Sequence, residues 1–213
     1  MNTTAAETTR QQTRSLTLAI LGTLALIALW FIVTRALPYS DFSTSTYGNY
    51  YWPRRWGLLP HVIGGVVALT TGVVQLWLGL TNRVATLHRT LGKVYGSAIL
   101  VGSVGGYYLS FTIPTMSVVF AAGLFMLCTA WVITTSMALF AIRRRNVIQH
   151  REWMLRSYTV TFAFVTFRLF EIVLDKLHFA SREDVATIMS WACWAVPLML
   201  VEPLIQLRKV RAR

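Results

Sequence analysis

The chain is short of acid. Of its 213 residues, eight are Asp or Glu against twenty Lys or Arg, and charged residues together make up 13%. A soluble domain carries about 25% charge, so there is too little charge here to cover a water-facing surface. Cysteine is scarce as well. Cys128 and Cys193 both lie inside apolar runs, where thiols behave mainly as packing groups. No Cys-x-x-Cys-His occurs for covalent haem attachment, and no paired cysteines occur for zinc. A phosphate-cradling glycine loop, a His-Glu-x-x-His pair and a Gly-x-Ser-x-Gly elbow are all missing. These absences remove the usual signatures of nucleotide binding, metalloprotease chemistry and serine hydrolysis. There is no low-complexity tract and no soluble region large enough to hold a flavin.

What the chain does have is apolar length. It is 55% apolar with a mean hydropathy of +0.54. Six runs near the roughly 20 residues a span needs cover Ser15–Thr34, Leu58–Leu80, Leu91–Ile113, Ser117–Ile142, Ser157–Leu174 and Val185–Leu207. None alternates with period two, which argues against a barrel, and helices are the remaining way to satisfy a backbone in lipid. The expected fold is an all-α polytopic bundle of about six transmembrane helices. The first run exceeds a signal peptide's core of about 7–15 residues and is read as an uncleaved span. Residues 1–14 are expected to be a disordered cytoplasmic tail, 15–207 the membrane domain, and 208–213 a basic cytoplasmic tail.

The formal charge of +12 raises nucleic acid as a partner, but its distribution answers otherwise. With six spans, fourteen of the twenty basic residues fall on one side: Arg10 and Arg14, a second group around Arg89, a third from Arg143 to Arg156, and the C-terminal cluster. That asymmetry is the positive-inside pattern. Both termini are therefore expected in the cytoplasm, in a multi-pass protein of the cell (inner or plasma) membrane.

The longest outward loop, residues 37–57, holds Tyr39, Phe42, Tyr47, Tyr50, Tyr51, Trp52 and Trp56. An aromatic belt at the headgroups is the favoured reading, and a lid over an outer pocket is the alternative. Pro60 is expected to open the second helix, Pro114 to sit in a tight turn, and Pro197 and Pro203 to kink the sixth. The second run carries His61, Gly65, Ala68, Gly72 and Gln75 on one helical face, and the third carries His88, Gly92, Tyr95, Ile99, Gly102 and Gly106. Small residues at this spacing let helices pack closely, and they also leave room for a flat cofactor. No halved helix and no inverted repeat is evident.

Two histidine-arginine pairs, His88-Arg89 and His150-Arg151, stand ahead of the third and fifth runs. The topology puts both histidines at one depth on the cytoplasmic side. A haem b needs two facing imidazoles at one depth, an apolar slot, and cations for its propionates. His88 and His150 are thus candidate iron ligands, with Arg89 and Arg151 as propionate partners and His61 as a further cofactor-binding candidate. In a straight fifth helix Arg168 lies about 27 Å from His150, in the outer half of the bilayer. An ionisable residue there is a functional candidate, and Glu171 is its i,i+3 partner. Arg168, Glu171 and Tyr107 form the candidate outer pocket.

The stretch from His61 through Gly72 to Gln75, with Arg83 and His88-Arg89-x-x-Gly92-x-x-Tyr95, resembles a family of predicted membrane proteins, domain of unknown function 2306. So does the segment from His150 to Tyr158, together with Val165-Thr-Phe-Arg168. More distantly the chain is similar to ascorbate-reducible di-haem cytochromes b. That likeness implies ligands at His61, His88 and His150, while the fourth run has no histidine at the corresponding place. His178 can replace it only if its loop folds back. Two functions are expected. The first is haem b-linked electron transfer to a quinone or other small redox molecule, which makes the chain a membrane oxidoreductase or electron carrier. The alternative is a proton-linked carrier of a small anion using the Arg168–Glu171 pair. The lipid bilayer is the expected partner, and self-association is left open.

Overall fold

The computed structural model describes residues 2–81, 84–112, 117–178 and 180–211. Arg83 and Pro114 lie outside these. Every regular element among the described residues is helical.

α1 (Asn2–Phe31) runs into a π-helical turn, Ile32–Ala36, and a 3-10 turn, Leu37–Asp41. α2 (Thr44–Tyr51) and a 3-10 turn, Trp52–Arg54, lead into α3 (Arg55–Thr81). α4 is Ala85–Thr112, α5 Val118–Arg143, α6 Val147–Thr161, α7 Ala163–Lys176 and α8 Arg182–Arg211. Among the described residues four stretches are long and apolar enough to cross a membrane, and the bent α6–α7 pair, taken as one span, makes a fifth. α4 has the length but falls below that hydropathy, because its glycines, serines and tyrosines face protein rather than lipid: Tyr95, Gly102, Ser103, Gly105 and Gly106 are all buried. The chain is an all-α polytopic bundle.

Several expectations change. The threonine-rich start is helical from Asn2, since Ala5, Ala6, Glu7 and Gln11 are good helix formers that extend an existing helix at low cost. The basic C-terminal segment likewise continues α8 to Arg211, which runs through Pro197 and Pro203 as one helix. Pro60 does not open its helix; it lies inside α3, whose start is set by Pro53 in the preceding 3-10 turn.

The fifth span is broken. α6 and α7 meet at Phe162 with a 40° bend, and neither proline nor glycine stands there. Thr161 Oγ1 donates to the Ser157 carbonyl at 2.9 Å, a back-bond that bends helices. Past the break, the amides of Val165 and Thr166 both turn to the Phe162 carbonyl at 3.0 Å. His150 and Arg168 are thus on two helices rather than one straight stripe.

α3 and α4 form the tightest pair. A methyl on Gly64 would stand 2.5 Å from the Ala98 carbonyl oxygen and 2.7 Å from Gly102 Cα, and one on Gly105 would meet the Gly57 carbonyl. The small-residue stripes therefore serve backbone contact. At mid-bundle a buried polar knot ties α4, α5 and α6 together. Tyr95 Oη bonds Ser157 Oγ and Thr161 Oγ1, each at 2.8 Å. Trp131 Nε1 donates to Thr161 Oγ1 at 2.8 Å, and Thr135 Oγ1 pairs with Ser157 Oγ at 2.7 Å. Hydroxyls in lipid need partners within the protein, and here each finds one on a neighbouring helix.

Candidate functional site

The two ends of the bundle are built differently. At the arginine-rich end α4 and α6 bring His88 and His150 together, with ring centroids 6.5 Å apart and planes at 88°. His150 Nδ1 donates to the Ala138 carbonyl at 2.9 Å, which leaves the Nε2 lone pair available. This is the way a ligating imidazole is usually oriented. His88 Nδ1 is buried without a hydrogen-bond partner, while its own carbonyl accepts from Gln75 Nε2 at 2.6 Å. His88 precedes the apolar stretch that starts at Leu91. There, burial first, then His150 and Arg151, hold its imidazole below the usual range. Arg89 and Arg151 are exposed beside the pair. Around it two ion pairs cross between α6 and α8: Arg156 reaches Glu202 at 2.7 Å and Lys209 reaches Glu152 at 2.8 Å. Glu202 therefore belongs to an α6–α8 bridge. Among the described residues no group of three or more His, Cys, Asp or Glu is placed to hold a metal ion.

The other end is hollow. A cavity of about 500 Å³ lies under the loop between α1 and α3. His61, Arg168 and Glu171 line it together. Arg168 Nη1 and Glu171 Oε2 pair at 2.7 Å. His61 Nδ1 donates to the Gly102 carbonyl at 2.8 Å, and its ring packs on Phe164 with centroids 5.1 Å apart. Tyr107 points elsewhere: its hydroxyl bonds Thr129 at 3.0 Å, and it is not among the lining residues. His178 is exposed, in a turn after α7 with a φ of 48°, and its loop does not fold back to this cavity.

Sequence reasoning missed Arg35, from the π-helical turn after α1, and Thr46 of the loop, while Tyr39, Tyr50 and Tyr51, named in the lid alternative, do line the cavity. Both cysteines, Cys128 and Cys193, lie in the lining. The loop is a folded lid more than a belt. Asp41 accepts from Ser43 N at 3.1 Å and from Thr46 Oγ1, and Ser43 caps α2. Gly48, at φ 60°, ψ 179°, turns the chain inside α2, a conformation that favours glycine. Tyr47 is 2% exposed and donates to the Tyr39 carbonyl at 3.0 Å. Trp56, 68% exposed, keeps the belt role. The lid's signal in the sequence was its tyrosines mixed with Asp and Ser caps, where a plain belt needs no caps.

Fold and composition define an integral membrane helical bundle. Residues 58–205 match the model of a family described as predicted membrane protein, domain of unknown function 2306. That is more than half of the chain, and the chain belongs to this family. No curated protein and no solved structure gives a match. The resemblance to di-haem cytochromes b has no counterpart in these comparisons. The family match begins at Leu58, so α1 and the lid lie outside it.

Proposed function

We propose that the protein is a membrane carrier whose cavity at the lid end receives a small molecule in the outer half of the bilayer. The observation that carries this reading is the cavity itself. At about 500 Å³ it falls within the roughly 300–1,000 Å³ of small-molecule pockets. It also gathers His61 of α3 and the Arg168–Glu171 pair of α7, about a hundred residues apart in sequence, in one lining. Ionisable residues in a span are costly and mark substrate or proton paths. The broken α6–α7 span supports the same reading, since carriers build their sites at interrupted helices. The Arg168–Glu171 pair keeps the charges neutralised when no ligand is bound, and an anionic group competes with Glu171 for Arg168. A proton taken up at Glu171 or His61 then offsets the anion's charge. Counterflow in proteoliposomes, with a panel of small organic anions and an imposed pH gradient, tests it. Saturable uptake that responds to the gradient and falls at least about tenfold in Arg168→Gln is expected. Uptake equal to that of empty liposomes, or equal in the variant, contradicts it.

One observation favours a second reading, haem b at the other end. That observation is the approach of His88 and His150, whose ring centroids are 6.5 Å apart. These two imidazoles would hold the iron, and the exposed Arg89 and Arg151 would serve the propionates. Bound there, haem would supply one-electron transfer to a quinone or similar acceptor. A Soret band in purified protein expressed with haem supplied, lost in His150→Ala, supports it. Absence of a Soret band in protein expressed with haem supplied rejects it.

A further inference from the structure

We infer that the lid-end cavity binds an amphiphile with one anionic head and an apolar body, and that Arg35 captures the head before it competes with Glu171 for Arg168. This rests on the carrier reading and goes beyond it in the ligand's class and the residue that selects it. Arg168 is already neutralised by Glu171 at 2.7 Å. Arg35 lines the same cavity and makes no ion pair among the described residues. The walls therefore carry one uncompensated positive charge. Tyr50 also lines the cavity, and its Oη is buried and without a hydrogen-bond partner among the described residues. A buried hydroxyl left unbonded costs about 1–3 kcal/mol, and an anionic oxygen is an acceptor that would satisfy it. Much of the remaining lining is apolar, with Leu58, Val62, Leu124, Leu127, Phe164 and Phe167 among it. A free small anion would leave those apolar walls uncovered, and a wholly apolar molecule would leave the arginine and the hydroxyl unmet.

The wall that carries Arg35 also suggests the route in. Phe31, Thr34, Arg35 and Ala36 of the α1 end line the cavity, yet only 6% of the apolar window of α1 is buried. α1 meets α3 and α7 over short stretches alone. A wall so loosely held can part sideways, and a molecule already seated in the outer leaflet, with its head at the interface and its tail in lipid, reaches the cavity without crossing water.

The test uses the full chain in nanodiscs of zwitterionic lipid. The probes are a dansyl-labelled long-chain carboxylic acid, its methyl ester, and the matching amine. Binding is read by dansyl fluorescence, and specific occupancy by competition with the unlabelled acid. The acid should bind saturably, at least about tenfold tighter than ester or amine, and should be displaced by the unlabelled acid. Arg35→Gln should lose about tenfold in affinity for the acid, and Arg35→Lys should keep most of it. Ester binding as well as the acid overturns the anionic head while leaving the cavity's binding role intact. Equal affinity for the acid in Arg35→Gln overturns the assignment of Arg35. No saturable binding by any probe overturns the amphiphile, while the carrier reading stands or falls separately on uptake of small anions. Titration with phosphatidylglycerol separates the sources of the head: displacement assigns it to an outer-leaflet lipid, and retention to a free single-chain acid.

Discussion

The two ends of the bundle spend their polar residues in opposite ways. At the arginine-rich end two ion pairs cross between helices, Arg156 to Glu202 and Lys209 to Glu152, and the two histidines stand in ring contact at 6.5 Å. At the lid end lies a cavity of about 500 Å³ whose lining holds Arg35, without an ion pair, and a tyrosine hydroxyl without a hydrogen bond, among the described residues. Closed packing with ion pairs across helices makes a joint, even with His88 Nδ1 left unpartnered among the described residues, whereas open space beside a free cation makes a receptor. The same helices do both. α3 and α4 touch backbone to backbone at Gly64 and Gly102, and one turn away α3 presents Gly65 and His61 to the hollow.

The sharpest way to break this contrast is at those two glycines. Gly64→Val pushes a branched side chain into the Ala98 carbonyl and should cost ~3 kcal/mol or more. The readout is thermal unfolding in detergent followed by tryptophan fluorescence. Gly65→Ala adds a methyl 3.6 Å from the Phe164 ring, an ordinary contact, and should not lower the midpoint. Equal losses in the two variants would show that the hollow is packed like the joint. Next in size is the mid-bundle knot. Tyr95→Phe removes one bond from each of Ser157 and Thr161, which keep Thr135 and Trp131 as partners, and should cost about 0.5–1.5 kcal/mol per bond, measured the same way; an unchanged midpoint would mean the tyrosine hydroxyl holds nothing together. For transport, Arg168→Gln should cut uptake about tenfold. Arg143→Gln, an exposed position at the opposite end, should leave uptake unchanged, and parallel losses would erase the distinction between the ends.

The smallest effect concerns pH. His88 is held below its usual range by burial, then by His150 and Arg151. The folded state thus binds its proton less readily than the unfolded chain does. The associated stability is present above the unfolded value of about 6.5 and is lost as pH falls through the lower folded value. The unfolding midpoint should drop on acidification below about pH 6.5, less so in His88→Gln. Identical pH curves for the two proteins would show that this histidine is not the titrating group.

The helices were largely legible because long apolar runs have few other solutions in lipid. The small-residue stripes on α3 and α4 and the matched depth of His88 and His150 were legible for the same reason, since helical period and span order settle them. The bend at Phe162 was not. No proline or glycine marks it; it arises from Thr161 and from hydroxyl and indole partners on α4 and α5 that no local pattern reveals. Nor was the free charge legible. Arg168 drew attention by its depth, yet its pairing with Glu171 leaves Arg35 the open cation. Arg35 lies at the end of a span, where arginines are common and unremarked. Tyr107 read as an outer-pocket residue from depth alone, and its rotation about α4 turns it to Thr129 instead.

The most direct test is photo-crosslinking of a diazirine-bearing long-chain acid to the protein in nanodiscs, with adducts mapped by mass spectrometry. Adducts on the walls of the lid-end cavity, in the α1 end, α2 and α7, that disappear with excess unlabelled acid are the predicted result. Adducts spread over the lipid-facing helices, or gathered at His88 and His150, with no competition, would contradict the account.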